Sequence, residues 1–323
     1  MRILKCYIKR GFPKGTPRSD MYKKAIAAIA GLVLFACTKD QARNIDINDF
    51  EPEPKAGIYD ISQEDCELMR LRQVLRSNSP IGCKRLKRVV FNYASLLDAP
   101  AQENVGIGAD LDRRGAVVVL DIVAENVLSL FSEIYRSRFP IQSAIPVEYF
   151  TLQERMADDR NNTLAFDSRP ITGGSRWSEH AYGVAIDINP LQNPYLYIDK
   201  HTRAKVIPKD ATEGYLNRAK FRPGKPTRMG MSEDVTTIFA RHGFAVWGGD
   251  WNVPIDYMHF QVGSRQFINR LITLPKESAK QLFNRYTQQL NRCFEESNSI
   301  KNATHLRKHC VDKVVSEFDG EQE

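Results

Sequence analysis

The run Val184–Ile188 (VAIDI) constrains the fold of this chain more than any other segment. Its apolar residues read as a short buried strand, yet it carries the carboxylate of Asp187 with it. A buried carboxylate persists only where a hydrogen-bonded partner, a counter-charge or a metal ion meets it. The fold must therefore bring a partner to Asp187. His180 stands seven residues upstream, with the small residues Gly183 and Ala185 between them to let the backbone turn and the side chains converge. A second strand-like segment, Met258–Val262, holds His259, and Asp256 lies three residues before that histidine.

Neutral imidazole and carboxylate are both zinc donors, at roughly 2.0–2.2 Å. His180, Asp187 and His259 make a three-ligand set for one zinc ion. Three protein ligands leave a coordination position open, which is the catalytic arrangement rather than the closed structural one. Asp256 can sit beside a ligand histidine without binding the metal, the place for a general base. Each piece alone has a plainer reading: a histidine among aromatics is more often a satisfied core residue, and an Asp three before a His is common. The two segments together point to a metal site. No HExxH helix occurs, so the ligands come from strands and loops, and His201, His242, His305 and His309 are read as non-ligands.

The formal charge of +7 belongs to the first 36 residues, which hold eight Lys or Arg against the single acid Asp20. Of 46 basic and 39 acidic side chains in all, 38 of each remain beyond that segment. Counterion-release binding to nucleic acid therefore has no global support, and no nucleic-acid partner is expected. Lys23 and Lys24 precede the apolar run Ala25–Ala36, too short to span a hydrocarbon core of ~30 Å but suited to an export signal. It ends at LFAC, Leu34–Cys37, which resembles a bacterial lipoprotein cleavage box, although Phe35 is bulkier than usual there. Cys37 is then the lipidated residue, and an acyl chain holds the protein at the membrane on the periplasmic or extracellular side. Plain secretion and an uncleaved anchor are the alternatives. Met21 is a natural start for such a signal, which makes residues 1–20 an upstream extension. Residues 38–57, ending in EPEPK, read as a flexible tether.

Four further cysteines, Cys66, Cys83, Cys293 and Cys310, suit disulfides in an exported chain. Pairing of neighbours, Cys66 with Cys83 and Cys293 with Cys310, is preferred because each pair encloses the same short interval. Helical spacing runs over 63–76, with Leu68, Leu71, Val74 and Leu75 on one side; the segment 84–97 reads equally as strand or helix. Ala116–Leu120 suits a buried strand that feeds a helix carrying Val123, Val127, Leu130, Phe131 and Ile134 and ended by Pro140, and Ile145–Phe150 reads as another strand. Ser232 is expected to cap a helix over 233–241, with Gly243 as its left-handed terminator. Phe244–Trp247 suits a strand, and residues 271–323 a helical hairpin clipped by its disulfide.

The pattern SxHxxGxAxD is met by Ser178, His180, Gly183, Ala185 and Asp187, and the later WGGxW and DxxHF by Trp247–Trp251 and Asp256–Phe260. With NPY at 193–195 and RFPI at 138–141, these motifs resemble the D-alanyl-D-alanine carboxypeptidase and L-alanyl-D-glutamate endopeptidase family of zinc peptidases, which trims bacterial cell-wall peptides. The resemblance runs from about Gly115 to Val262, within a domain expected over 58–270. It implies zinc on His180, Asp187 and His259, Asp256 as the base, and Arg169 in the place of an arginine that steadies the oxyanion. Ser178 either orients a substrate carboxylate or holds the loop, and Trp177, Trp247 and Trp251 either line the cleft or pack around the sheet. The expected fold is α+β: helices on a small, mostly antiparallel sheet carrying a zinc cleft, plus the C-terminal helical hairpin. The expected activity is that of a monomeric zinc peptidase acting on peptidoglycan stem peptides, first as a D,D-carboxypeptidase and second as an L-alanyl-D-glutamate endopeptidase. A non-catalytic zinc module that binds peptidoglycan or a protein, and a structural envelope lipoprotein, are the competing readings.

Overall fold

The structure, a computed structural model, describes residues 45, 47–96, 112–157, 161–171, 174–199, 201, 203–297 and 300–320. The apolar leader, Cys37 and the first part of the expected tether lie outside the described residues. The chain divides into two units between Asp49 and Phe50, and the first contributes one 3₁₀ turn, Ile47–Asp49. The second unit begins inside the expected tether: the Phe50 ring packs edge-on against Tyr149 at 5.0 Å, and Glu53 reaches Arg88. Among the described residues no helix is long and apolar enough to cross a membrane.

The fold is α+β. One sheet orders β1 (Gly57–Asp60), β2 (Leu86–Ser95) and β3 (Asp112–Leu120) antiparallel, with β4 (Pro140–Ile141) parallel to β2. Strand β2 resolves the ambiguity over Leu86–Ser95, after a 3₁₀ turn at Cys83–Arg85. Nearly all of its residues are buried, so the alternation that marks a one-faced strand is missing, and β-branched and aromatic residues decide for strand. Helix α1 (Gln63–Leu71) is capped by Ser62, and α2 (Ala124–Arg136) buries Val127, Leu130, Phe131 and Ile134 on one face. Phe131 stacks on Phe91 of β2 with centroids 3.6 Å apart. The core side chains of such a face contribute about 1.5–3 kcal/mol each.

Several expectations are corrected here. Helix α1 stops at Leu71 rather than residue 76, because Gln73 turns left-handed (φ 56°); Val74 and Leu75 are buried from irregular backbone. Helix α2 ends before Pro140, at a left-handed Arg138 (φ 58°). The segment 145–150 is a 3₁₀ turn, Val147–Tyr149, not a strand: it follows Pro146 and carries Glu148 inward towards Arg88. It leads into α3 (Leu152–Met156) through a Thr151–Glu154 capping box.

Two further three-stranded sheets carry the motifs. The first orders β5 (Ala185–Asp187), β10 (His259–Gln261) and β8 (Val246–Trp247); the second orders β7 (Ala204–Ile207), β6 (Tyr195–Ile198) and β9 (Ile255–Asp256). All their pairings are antiparallel. After the short α4 (Ala211–Gly214), the chain enters a 3₁₀ turn, Ser232–Asp234, and only then α5 (Thr236–Arg241). Ser232 is thus not the cap expected of it, whereas Gly243 (φ 90°) does take the left-handed position.

Helices α6 (Arg265–Thr273), α7 (Lys276–Glu296) and α8 (Ala303–Gly320) complete the chain. Phe267, Tyr286 and Phe318, one from each, form a mutual aromatic cluster with centroids 4.6–5.5 Å apart. The hairpin of α7 and α8 is no appendage. Its Leu282, Phe283, Leu290 and Val314 join the same hydrophobic core as the sheets. The structure pairs Cys66 with Cys83 and Cys293 with Cys310.

Candidate metal centre

The antiparallel register of β5 and β10 sets His259 directly opposite Asp187, so their side chains leave the same face of the sheet. His180 arrives from the 3₁₀ turn Glu179–Tyr182, immediately before β5. That turn is closed by Gly183 in the left-handed region (φ 66°), where a Cβ would stand 2.6 Å from the backbone nitrogen of Leu120. Only glycine fits there. Ser178 caps the turn, its Oγ accepting from the His180 N–H, and is itself buried. It holds the loop.

The three donor atoms form a nearly equilateral triangle. His180 Nε2 lies 3.2 Å from Asp187 Oδ1 and 3.2 Å from His259 Nδ1, and His259 Nδ1 lies 3.1 Å from Asp187 Oδ1. Donors on a tetrahedral ion with bonds near 2.0–2.1 Å stand roughly 3.3 Å apart. All three residues are buried, with 1–6 % exposure. Hydrogen bonds among three such atoms leave at least one pair of like groups, two donors or two acceptors, facing each other, whereas one shared cation satisfies all three as lone-pair donors.

The outer ring nitrogens fix which tautomers are present. His180 Nδ1 stands 2.6 Å from the carbonyl oxygen of Ala165, which can only accept, so Nδ1 carries the proton and Nε2 presents a lone pair inward. His259 Nε2 is 2.9 Å from Gln261 Oε1, and the Gln261 amide nitrogen donates to the Gly263 carbonyl, which orients that oxygen. In the neutral ring, the form a metal ion binds, His259 Nδ1 is thereby left as the second inward lone pair. The Ala165 carbonyl is held in place because Leu164 and Asp187 exchange both backbone hydrogen bonds, at 2.8 and 3.0 Å. The donor set and its supports fit a divalent ion of zinc type.

Without a metal the cluster polarises itself. Burial pushes the Asp187 carboxyl up, but the two imidazoles more than reverse this and hold it well below the usual carboxylate range. Burial likewise works against a charged His259, and the hydrogen bond and charge of Asp187 overcome it, raising the imidazole to about 9. A bound cation replaces that proton, as metal binding at histidine requires.

Asp256 sits on β9 and feels the charges of Asp187, His259, His180 and Arg169. Burial, aided by Asp187, pushes its carboxyl up to about 6. Its Oδ1 is sequestered and has no hydrogen-bond partner among the described residues. An unpaired buried carboxylate oxygen beside a metal-ligand cluster is placed to take a proton from water. Arg169 is half-exposed, its Nε 3.6 Å from Asp167, which is itself held by Arg155 at 2.8 Å.

The tryptophans divide. The Trp251 ring lies 5.5 Å from that of His259, beside the centre. Trp247 is a core residue instead, stacked on Phe260 and donating its indole N–H to the Tyr257 carbonyl. Trp177 is half-buried, and its carbonyl accepts from Arg265. Gln261 and the Ala165 carbonyl escaped the sequence reading. Gln261 had a signal: two residues beyond His259 in a strand, it shares the same face.

Comparison with protein families matches residues 172–262 to a family model described as D-alanyl-D-alanine carboxypeptidase. The resemblance read from the motifs is therefore borne out over that segment, which contains all three donors and Asp256 and begins just after Arg169. Comparisons with curated proteins and with solved structures returned no match.

Proposed function

We propose that this chain, in which a segment similar to D-alanyl-D-alanine carboxypeptidases is joined to a His–Asp–His donor set, is an exported zinc peptidase acting on peptidoglycan stem peptides. The carrying observation is the convergence of His180 Nε2, His259 Nδ1 and Asp187 Oδ1, each within 3.2 Å of the other two, with Asp256 near enough to feel their charges. When bound, zinc supplies Lewis acidity that makes water more acidic and polarises the scissile carbonyl. Asp256 accepts the proton of the attacking water and passes it to the leaving amine. Arg169, with its guanidinium half in solvent, faces the negative charge that develops on the carbonyl oxygen. Trp251, its ring 5.5 Å from that of His259, is placed to contact substrate.

A D,D-carboxypeptidase is the first reading and an L-alanyl-D-glutamate endopeptidase the second, the latter favoured by aspartate rather than glutamate at position 256. The two disulfides support an oxidising compartment, and the sequence Leu34–Cys37 supports a lipid anchor there. A purely binding module has no use for a carboxylate at 256 with one sequestered, unpartnered oxygen, which weighs against that alternative. The test is digestion of defined muropeptides with identification of the fragment released. Release of D-alanine supports the first reading and release of an intact stem peptide the second. Release of neither by the zinc-loaded chain contradicts both.

A further inference from the structure

The helical hairpin lies beyond the family-matched segment, yet it buries a charged side chain against the turn that leads into Trp251. Arg307 of α8 is 1 % exposed, and its Nη2 stands 2.7 Å from Asp250 Oδ1. Its guanidinium lies 5.5 Å from the ring centroid of Trp247. Arginine does not lose its proton in a protein, so a cation buried this deeply is held by its carboxylate partner and by the aromatic face. Asp250 ends the 3₁₀ turn Gly248–Asp250, whose next residue is Trp251, beside His259. At the other end of the turn, a Cβ on Gly248 would stand 2.4 Å from the Asp256 carbonyl oxygen and 2.8 Å from its Cβ. The turn is therefore wedged between Arg307 and Asp256, and Trp251 hangs from its end.

We propose that Arg307 is a positioning residue for this centre: through Asp250 it fixes the 248–251 turn, and the turn in turn fixes Asp256 and the Trp251 ring. Cys310 follows Arg307 by one helical turn and is bonded to Cys293 of α7, so the disulfide secures the helix that delivers the arginine. The proposal rests on the reading of Asp256 as the base, but it makes a separate statement about geometry.

The test compares Arg307→Met, Arg307→Lys, Asp250→Asn and Val314→Ala in the full chain. Val314 is a buried α8 residue in the core, remote from the turn in sequence and outside the metal centre. Each variant is measured for kcat and KM on a disaccharide-pentapeptide, for Tm, and for the visible absorption of the cobalt(II)-loaded protein. Misplacing a catalytic group by about 1 Å costs on the order of 100-fold. The expected result for Arg307→Met is a roughly 10- to 100-fold loss of kcat with KM little changed, an altered cobalt spectrum, and one cobalt still bound. Arg307→Lys restores part of kcat. Val314→Ala lowers Tm with kcat and spectrum intact. Should Arg307→Met not fold, Asp250→Asn carries the same expectation from the other side of the pair. The proposal is overturned if these variants keep the wild-type kcat and spectrum, or if kcat falls only in step with Tm across all of them, Val314→Ala included. A wild-type chain inactive on muropeptides counts against the proposed function, while the cobalt spectra still test the positioning.

Discussion

At the scale of residues, the centre is defined less by its three donors than by what holds their outer atoms. His259→Ala removes a ligand and is expected to abolish stoichiometric zinc binding, whereas Asp256→Ala is expected to keep zinc and lose about 10³-fold in kcat. Metal analysis beside a peptide-release assay separates them, and wild-type turnover in Asp256→Ala would refute the base assignment. Gln261→Leu removes the acceptor that fixes the His259 tautomer. Zinc affinity, measured by chelator competition, is expected to fall about 10- to 100-fold. The convergence of His180, Asp187 and His259 was legible in the sequence because each stands in a short, ordered motif. The Ala165 carbonyl was not, since a backbone oxygen has no sequence signature, and Arg307–Asp250 was not, since a long-range ion pair leaves no periodicity.

Among elements, the segments flanking the matched region are built into the site's frame. Ser168, next to Arg169, accepts from the Arg76 N–H and donates its own N–H to the Val74 carbonyl, so the Cys66–Cys83 loop braces that arginine's backbone. Removing Cys293–Cys310 by Ser substitution is expected to cost about 3 kcal/mol and lower Tm by several degrees in a melting experiment. The 3₁₀ turn 147–149 is tied to β2 by Glu148, which faces Arg88 beside Asp65. Burial, against the pull of Arg88, raises the Glu148 carboxyl to about 7. Its folded value lies above its ordinary one, so its contribution to stability is fully present below about pH 4.5 and is lost as pH rises through 7. Glu148→Gln is expected to flatten the decline in stability over that window by at most about 3 kcal/mol, read from denaturant melts across pH. An unchanged pH slope would contradict a buried, titrating Glu148. The turn itself was misread as a strand because apolar residues around Pro146 mimic one, while the cause of the turn, a charge partner on β2, is distant in sequence.

Over the whole molecule, the α+β class and the C-terminal hairpin followed from periodicity, which long amphipathic helices display strongly. The division of the described residues into three sheets did not follow, because strands of two to four residues are fixed by register and loop hydrogen bonds rather than by pattern. Asn193 illustrates this: buried after β5, it binds the Ile188 and Gly230 carbonyls and the Ser232 N–H, stitching the loops that separate two sheets. One shared core then runs from β2 to α8 and sets the distance between His180, Asp187 and His259. Zinc K-edge X-ray absorption of the purified chain tests that convergence most directly. One zinc per chain is expected, with two imidazoles and only nitrogen or oxygen neighbours at about 2.0–2.2 Å. A sulfur shell near ~2.3 Å, or a chain that takes up no zinc, would contradict it.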